Sequence, residues 1–346
     1  MSQEDFSFKI QESVREAVPP LISLWSKSGG GKTYSALLLA RGMVGPSGKI
    51  VVIDTENGRS KFYSDVSAPW FHLDLQPPFT PDKYKAAFEF SEKWGADVII
   101  VDSGSHVWEG EGGVIDMADR NGGSGLQKWN APKMAHKRMM NNLTRSPIPV
   151  IFCLRAKEGV KQVGNKIEHV GLVPIAERNF VFEMTLDLCM TKDGHYDLEA
   201  SKTVPEGLRG VVTKGGRVTS EMGKKIAEWM GSGAKVDAEF LKLKRDGQEA
   251  AMSGLDAYRA WTASLSEDQK SKVRHLHSGW VAEAKTADAD AAMNAPPKQT
   301  QQGPSGASAL DDSFTGTCTN CNGRGVIVTD DSKEPCPNCS TQKNAA

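Results

Sequence analysis

The chain of 346 residues is 39% hydrophobic and 25% charged, with a formal net charge of −1. It can bury one large core plus an appendage, and it carries no global basic field, so any contact with a polyanion has to be local. The opening, Met1-Ser-Gln-Glu-Asp, is acidic and lacks an apolar stretch, and no apolar run reaches membrane-spanning length, so the expectation is a cytoplasmic protein without membrane contact.

Short apolar runs alternate with helical spacing through the first half, the pattern of a mostly parallel sheet covered by helices. Residues 21–25 form a buried-strand run, followed by a glycine loop and a helix over about 32–43. Strands are expected at 49–54 and 97–102, with a helix at 81–94 between them. Residues 104–125 are glycine-rich and carry no clear period; 126–145 read as a helix and 148–154 as a fourth strand. Residues 156–178 are expected as a second polar loop, 180–191 and 195–201 as a β-hairpin turning at Asp193-Gly194, and 220–230 as a short amphipathic helix. The expected organisation is a core over 1–235, a helical accessory segment over 236–285, a disordered linker over 286–315 rich in Ala, Pro, Gln, Gly and Ser, and a mini-domain with its tail over 316–346.

The segment Ser26-Lys-Ser-Gly-Gly-Gly-Lys-Thr33 follows a strand and opens a helix. Glycines leave backbone N–H groups free to ring a phosphate, and the helix N-terminus adds donors and a dipole. Ser26, Lys27, Ser28, Gly29, Gly30, Gly31, Lys32, Thr33 and the adjoining Tyr34 are the nucleotide-binding candidates, Lys32 for the β- and γ-phosphates of ATP and Thr33 for Mg²⁺. Ser26 stands where the motif has its first glycine, a small residue that still permits the turn. Val98-Ile-Ile-Val-Asp102 is a buried strand ending in an acid, which can hold Mg²⁺ through water beside that loop. Ser103 follows where many such ATPases place the water-activating glutamate, so the base comes from elsewhere.

The strand Val51-Val-Ile-Asp-Thr-Glu56, the pair Asp102-Ser103 and the strand Ile151-Phe-Cys-Leu-Arg155 resemble their counterparts in RecA recombinases. The resemblance implies a RecA-like P-loop NTPase fold over about residues 20–230, with Glu56 polarising the attacking water and Arg155 sensing the γ-phosphate. The residues alone also allow a strand-end acid or helix cap at Glu56 and a surface ion pair at Arg155. The runs from Ile53 to Arg59, Asp102 to His106 and Leu154 to Lys157 look like RecA-related AAA ATPases of bacteriophages and prophages, some of which act in single-strand annealing or recombination. That family implies a homo-oligomer in which Lys202 reaches a neighbour's ATP, although a solvated lysine fits as well. It also places 104–125 and 156–178 where RecA-like proteins contact DNA. Lys157, Lys161, Lys166 and Arg178 could then meet phosphates and Trp108 or His169 stack on a base, against the acids of the first loop. Lys133, Lys137 and Arg138 read instead as a charged outer face.

Cys318-Thr-Asn-Cys321 and Cys336-Pro-Asn-Cys339 provide four thiolates in the spacing of a tetrahedral Zn²⁺ site, with redox dithiols the alternative, and resemble zinc-ribbon knuckles. Cys153 and Cys189 lie in apolar runs and read as buried thiols. The leading expectation is therefore an ATPase of phage-type DNA recombination or replication acting on single-stranded DNA, its zinc ribbon recruiting DNA or a replication or recombination protein. The alternatives are a nucleotide-gated adaptor or loader with little turnover and, disfavoured by the want of an arginine-rich lid, a small-molecule kinase.

Overall fold

A computed structural model describes residues 13, 15–122, 125–163, 166–201, 204–233, 237–294, 326–329 and 332–335. Six parallel strands make the framework. In chain order they are β1 (Leu21–Ser26), β2 (Ile50–Asp54), β3 (Phe71–Asp74), β4 (Val98–Asp102), β5 (Val150–Val163) and, after the antiparallel β6 (Lys166–Pro174), β7 (Leu186–Met190); β8 (Tyr196–Asp197) closes one edge antiparallel to β7. The order across the sheet is β3-β2-β4-β5-β1-β7-β8, with β6 paired to the outer half of β5. The central strands are predominantly apolar, as expected of strands covered on both faces, and β1, β2, β4 and β7 are buried at every residue. Within β7 the buried Asp187 accepts hydrogen bonds from Ser23 Oγ and, at 2.9 Å, from Trp25 Nε1.

One face is covered by α1 (Lys32–Val44) and α7 (Ser220–Gly231), the other by α2 (Pro81–Trp94) and α5 (Asn130–Leu143). Thr80 caps α2 by accepting from Lys83 N, Pro81 opens its first turn, and Gly95, at φ 91°, ends it. Gly223 lies so close to α1 that a Cβ there would sit 2.1 Å from Leu39 O, so the absence of a side chain lets the two helices touch. Three short helices, α3 (His106–Glu109), α4 (Val114–Arg120) and α6 (Phe180–Glu183), fill the connections.

Beyond α7, α8 (Ala238–Met252), α9 (Leu255–Ser264), α10 (Glu267–Val273) and α11 (His277–Asn294) share a core of Leu243, Tyr258, Val273, Trp280 and Ala284. The described residues through Asn294 form one compact unit. Within it α8 docks on the α2/α5 layer through Arg245 to Glu92 at 2.6 Å and Lys85 to Glu249. In the second unit, β9 (Val326–Thr329) pairs antiparallel with β10 (Ser332–Pro335). This hairpin falls between the two cysteine pairs in sequence. Cys318, Cys321, Cys336 and Cys339 lie outside the described residues, as do Lys202 and residues 295–315.

Three expectations are corrected, and one stretch for which no element was expected proves to hold two short helices. Residues 156–178 are not a polar loop: β5 runs on to Val163 and turns back as β6. Its polar, glycine-interrupted alternation belongs to a ribbon whose outer reach is exposed, Val160 at 61% and Val170 at 51%. Gly159 faces Gly171, where a Cβ on Gly159 would meet Val170 and Val173 at 2.7 and 2.8 Å. The glycine-rich stretch after β4 contains α3 and α4. The hairpin expected from residue 180 begins at Leu186, because residues 180–183 form the turn α6 that buries Phe180. Residues 286–294, expected to open the linker, continue α11, and Asp288 Oδ2 accepts from Leu255 N at 3.2 Å.

Candidate active site

All the chemistry-bearing strand ends open on one edge of the sheet. Between β1 and α1 the chain wraps a loop in which Gly29 and Gly31 hold φ +83° and +78°, a region open to glycine at little cost. A Cβ on Gly30 would lie 2.2 Å from Ser26 Oγ. Ser26, the departure from the motif, thus fills the loop's interior and donates to Lys27 O at 2.9 Å. Lys32 Nζ folds back over the loop, donating to Ser26 O and Lys27 O at 3.2 Å each and to Ser26 Oγ at 3.3 Å. Three acceptors thus hold the ammonium over the loop whose amides would ring a phosphate.

Thr33 Oγ1 donates to Asp102 Oδ2 at 2.6 Å, joining the first turn of α1 to the end of β4. Burial pushes the Asp102 carboxyl up to about 6, with Glu56 and Asp54 adding to the rise against the hydroxyl of Thr33 and the ammonium of Lys32. A hydroxyl, a carboxylate and excess local negative charge are hard-oxygen surroundings that suit Mg²⁺, which takes one or two protein ligands and keeps waters. No group of three or more His, Cys, Asp or Glu suited to a metal occurs among the described residues.

Glu56, just past the end of β2, and Arg155, within β5, come together across the end of β4, the strand between them. Arg155 donates from Nε at 3.0 Å and approaches with Nη2 at 2.8 Å, both to Glu56 Oε1, while Arg59 Nη1 stands 3.7 Å from Oε2. The loop bearing Glu56 is organised by Asp54, which is fully buried. Its Oδ1 accepts from Glu56 N at 2.7 Å and Gly58 N at 3.3 Å, and its Oδ2 accepts from Ser60 N at 3.0 Å, from Ser60 Oγ and from His72 Nε2 at 3.3 Å. Burial opposes ionisation of Asp54, yet the hydrogen bonds of Ser60 and Glu56 hold its carboxyl below the usual range. Between the two acids, Thr55 Oγ1 accepts from Ser103 N at 2.8 Å and lies 2.8 Å from His106 Nδ1. Ser105 Oγ accepts from Arg155 N at 2.9 Å. The ends of β2 and β4 and the middle of β5 are therefore tied by side-chain hydrogen bonds rather than by the sheet ladder alone.

Lys32, Thr33, Glu56, Arg59, Asp102 and Arg155 line one cleft of about 520 Å³, with Phe62 and Tyr63 also on its wall. A larger hollow of about 770 Å³ lies against the other side of the loop, walled by β6, β7 and the β8 end. It contains neither Lys32 nor Thr33 and carries the acids Asp197 and Glu199, so the smaller cleft is the one matched to a triphosphate. Tyr34 is 37% exposed and meets the Tyr63 ring edge-on at 6.4 Å, outside the cleft lining. Lys27 pairs with Glu158 of the β5–β6 ribbon at 2.5 Å. Sequence reasoning did not assign Asp54, Arg59, Phe62 or Tyr63. The available signal was the polar run after β2, whose residues needed a tight turn to reach the loop.

Residues 19–189 match a family model described as an AAA domain. No curated protein matches the chain. Among solved structures, an ATPase from the type III secretion system of pathogenic bacteria aligns over 80% of each chain, at 11% identity and a TM-score of 0.32. That likeness is too distant to inform fold or function. With the phosphate loop, the acid-tipped β4 and the β2 glutamate on one cleft, the family match gives the conclusion that this chain carries an AAA-type P-loop ATPase domain over residues 19–189.

Proposed function

We propose that the protein hydrolyses ATP in phage-type DNA recombination or replication, acting on single-stranded DNA as a RecA-like homo-oligomer. The observation that carries the hydrolytic part is the convergence of Lys32, the Thr33–Asp102 pair and Glu56 on one cleft. The triphosphate lies along the amides of Gly29–Thr33, Lys32 leaves its three oxygen acceptors for the β- and γ-phosphates, and the rings of Phe62 and Tyr63 offer apolar surface to the base. Thr33 and Asp102 would hold Mg²⁺, which would supply charge neutralisation on the phosphates. Glu56 orients water and accepts its proton, and Arg155 faces the γ-phosphate.

The nucleic-acid part of this reading rests on the resemblance of the motifs and on the β5–β6 ribbon, which extends the sheet just beyond Arg155. Lys202 would enter a neighbour's cleft, and Cys318, Cys321, Cys336 and Cys339 would bind Zn²⁺ and recruit DNA or a replication protein. A nucleotide-gated adaptor with little turnover has one observation in its favour: Arg155 occupies the carboxylate that must take the proton. Phosphate release by wild type and Glu56→Gln, with and without single-stranded DNA, separates the two. Hydrolysis requires a fall of at least about 100-fold in the variant with ATP still bound; equal rates for the two proteins would leave the adaptor.

A further inference from the structure

Away from the nucleotide cleft, α5 carries Lys133, His136 and Lys137 at the spacing that aligns side chains on one helical face. Across from them stand Glu177, Asn179 and Glu183, and the two sides enclose a cavity of about 290 Å³, close to the ~300 Å³ at which small-molecule sites begin. His136 forms part of the wall. It is 6% exposed, and its Nε2 has no hydrogen-bond partner among the described residues. A buried polar atom left in this way calls for a partner that the fold itself does not provide. Burial holds the imidazole below its ordinary pKa, against the carboxylate of Glu177, so the ring is neutral and able to serve as donor or acceptor.

An aromatic step leads to the same place. Trp108 stacks on Trp129 at 6.2 Å and presents its ring to His136 at 6.0 Å, while Lys128 and Lys133 lie 5.7 and 5.9 Å from the centre of the Trp129 ring. An acidic peptide would satisfy the lysines but face Glu177 and Glu183, and a basic one would reverse the conflict. A nucleotide satisfies both: its phosphate meets ammonium groups, its exocyclic amine meets a carboxylate, and its ring edge meets an imidazole. An adjoining base can stack on tryptophan.

We propose that this pocket between α5 and the segment leading through α6 takes one nucleotide of a single nucleic-acid strand, with phosphate on Lys133 and Lys137 and the base edge on His136. The assignment rests on the single-strand reading above and narrows it to a face that the sequence presented as an ordinary charged surface. It also joins the two sites: α3 sets Trp108 against His136, Glu109 on the nucleotide cleft and His106 beside Thr55.

The test uses the full-length protein and a Lys133→Ala/Lys137→Ala double variant, with labelled oligo-dC and its ribose counterpart oligo-C, whose bases carry an exocyclic amine, followed by fluorescence anisotropy across a salt series. Both lysines are exposed, and an unchanged melting temperature certifies the fold. The expected result is an affinity loss of about tenfold, with a salt dependence shallower by about 1.4 at ~0.7 per phosphate contact. The oligo-dC and oligo-C arms, identical in base, show whether the 2′-hydroxyl matters. Undiminished binding by the variant would overturn the pocket while leaving the single-strand reading intact. No binding of either oligomer by wild type would remove both. Competition by a polyglutamate peptide would reassign the pocket to a protein partner.

Discussion

Replacing Asp102 with Asn isolates the electrostatic load that the fold places on the proposed Mg²⁺ site. Burial pushes this carboxyl up to about 6 from 3.8. At ~1.36 kcal/mol per pH unit, holding it charged costs the folded state about 3 kcal/mol. The sign follows from proton counting. Below about pH 4 the acid is protonated in both states and contributes nothing. As pH rises from there to about 6 the unfolded chain releases its proton first, so stability falls, and above that range the loss is constant. Asp102→Asn has no such proton to lose. Measured without nucleotide or Mg²⁺, the melting temperature of the variant relative to wild type should climb between about pH 4 and pH 7, by roughly 6–12 °C for a 3 kcal/mol swing in a domain of this class. The same substitution should depress Mg²⁺-dependent ATP hydrolysis by at least about 100-fold, since a neutral amide is a poor Mg²⁺ ligand. Differential scanning fluorimetry across pH checks the first outcome. Parallel melting curves for the two proteins would refute the claim that Asp102 is a buried acid held for a cation.

Lys32→Ala should weaken ATP binding by at least about tenfold while leaving the melting temperature near wild type, because the hydrogen bonds of Lys32 Nζ among the described residues go to loop acceptors; titration of a fluorescent ATP analogue measures it. Asp54→Asn removes charge from the acceptor of three backbone N–H groups and the Ser60 hydroxyl, and should cost about 2–4 kcal/mol in urea denaturation. At temperatures where that variant remains folded, its kcat should fall more than its KM rises, since the loop it organises carries Glu56. Purified protein should hold about one zinc per chain by elemental analysis, and Cys318→Ser/Cys321→Ser should lose it.

The phosphate loop was legible because its chemistry is local: glycine φ angles, a lysine and a threonine at fixed spacing after an apolar run need only consecutive residues. The same holds for β2, β4 and α2, whose burial or capping is written in their own residues. The amino-acid order also placed Glu56, Asp102 and Arg155 at strand ends, but not their relation. That Arg155 grips Glu56, and that Asp54 gathers the amides of the following turn, depends on β4 lying between β2 and β5, a neighbour order no local period encodes. The ribbon β5–β6 escaped sequence reading for a related reason. Its residues are stabilised by pairing with each other across Gly159 and Gly171 rather than by burying an apolar face. The pocket beside His136 was hidden most completely, because an orphaned imidazole is defined only by what packs around it. Short-range sterics and hydrophobic period thus determined which segments form and which carry phosphate chemistry. Long-range packing decided which charges meet and which buried polar atoms are left without a partner.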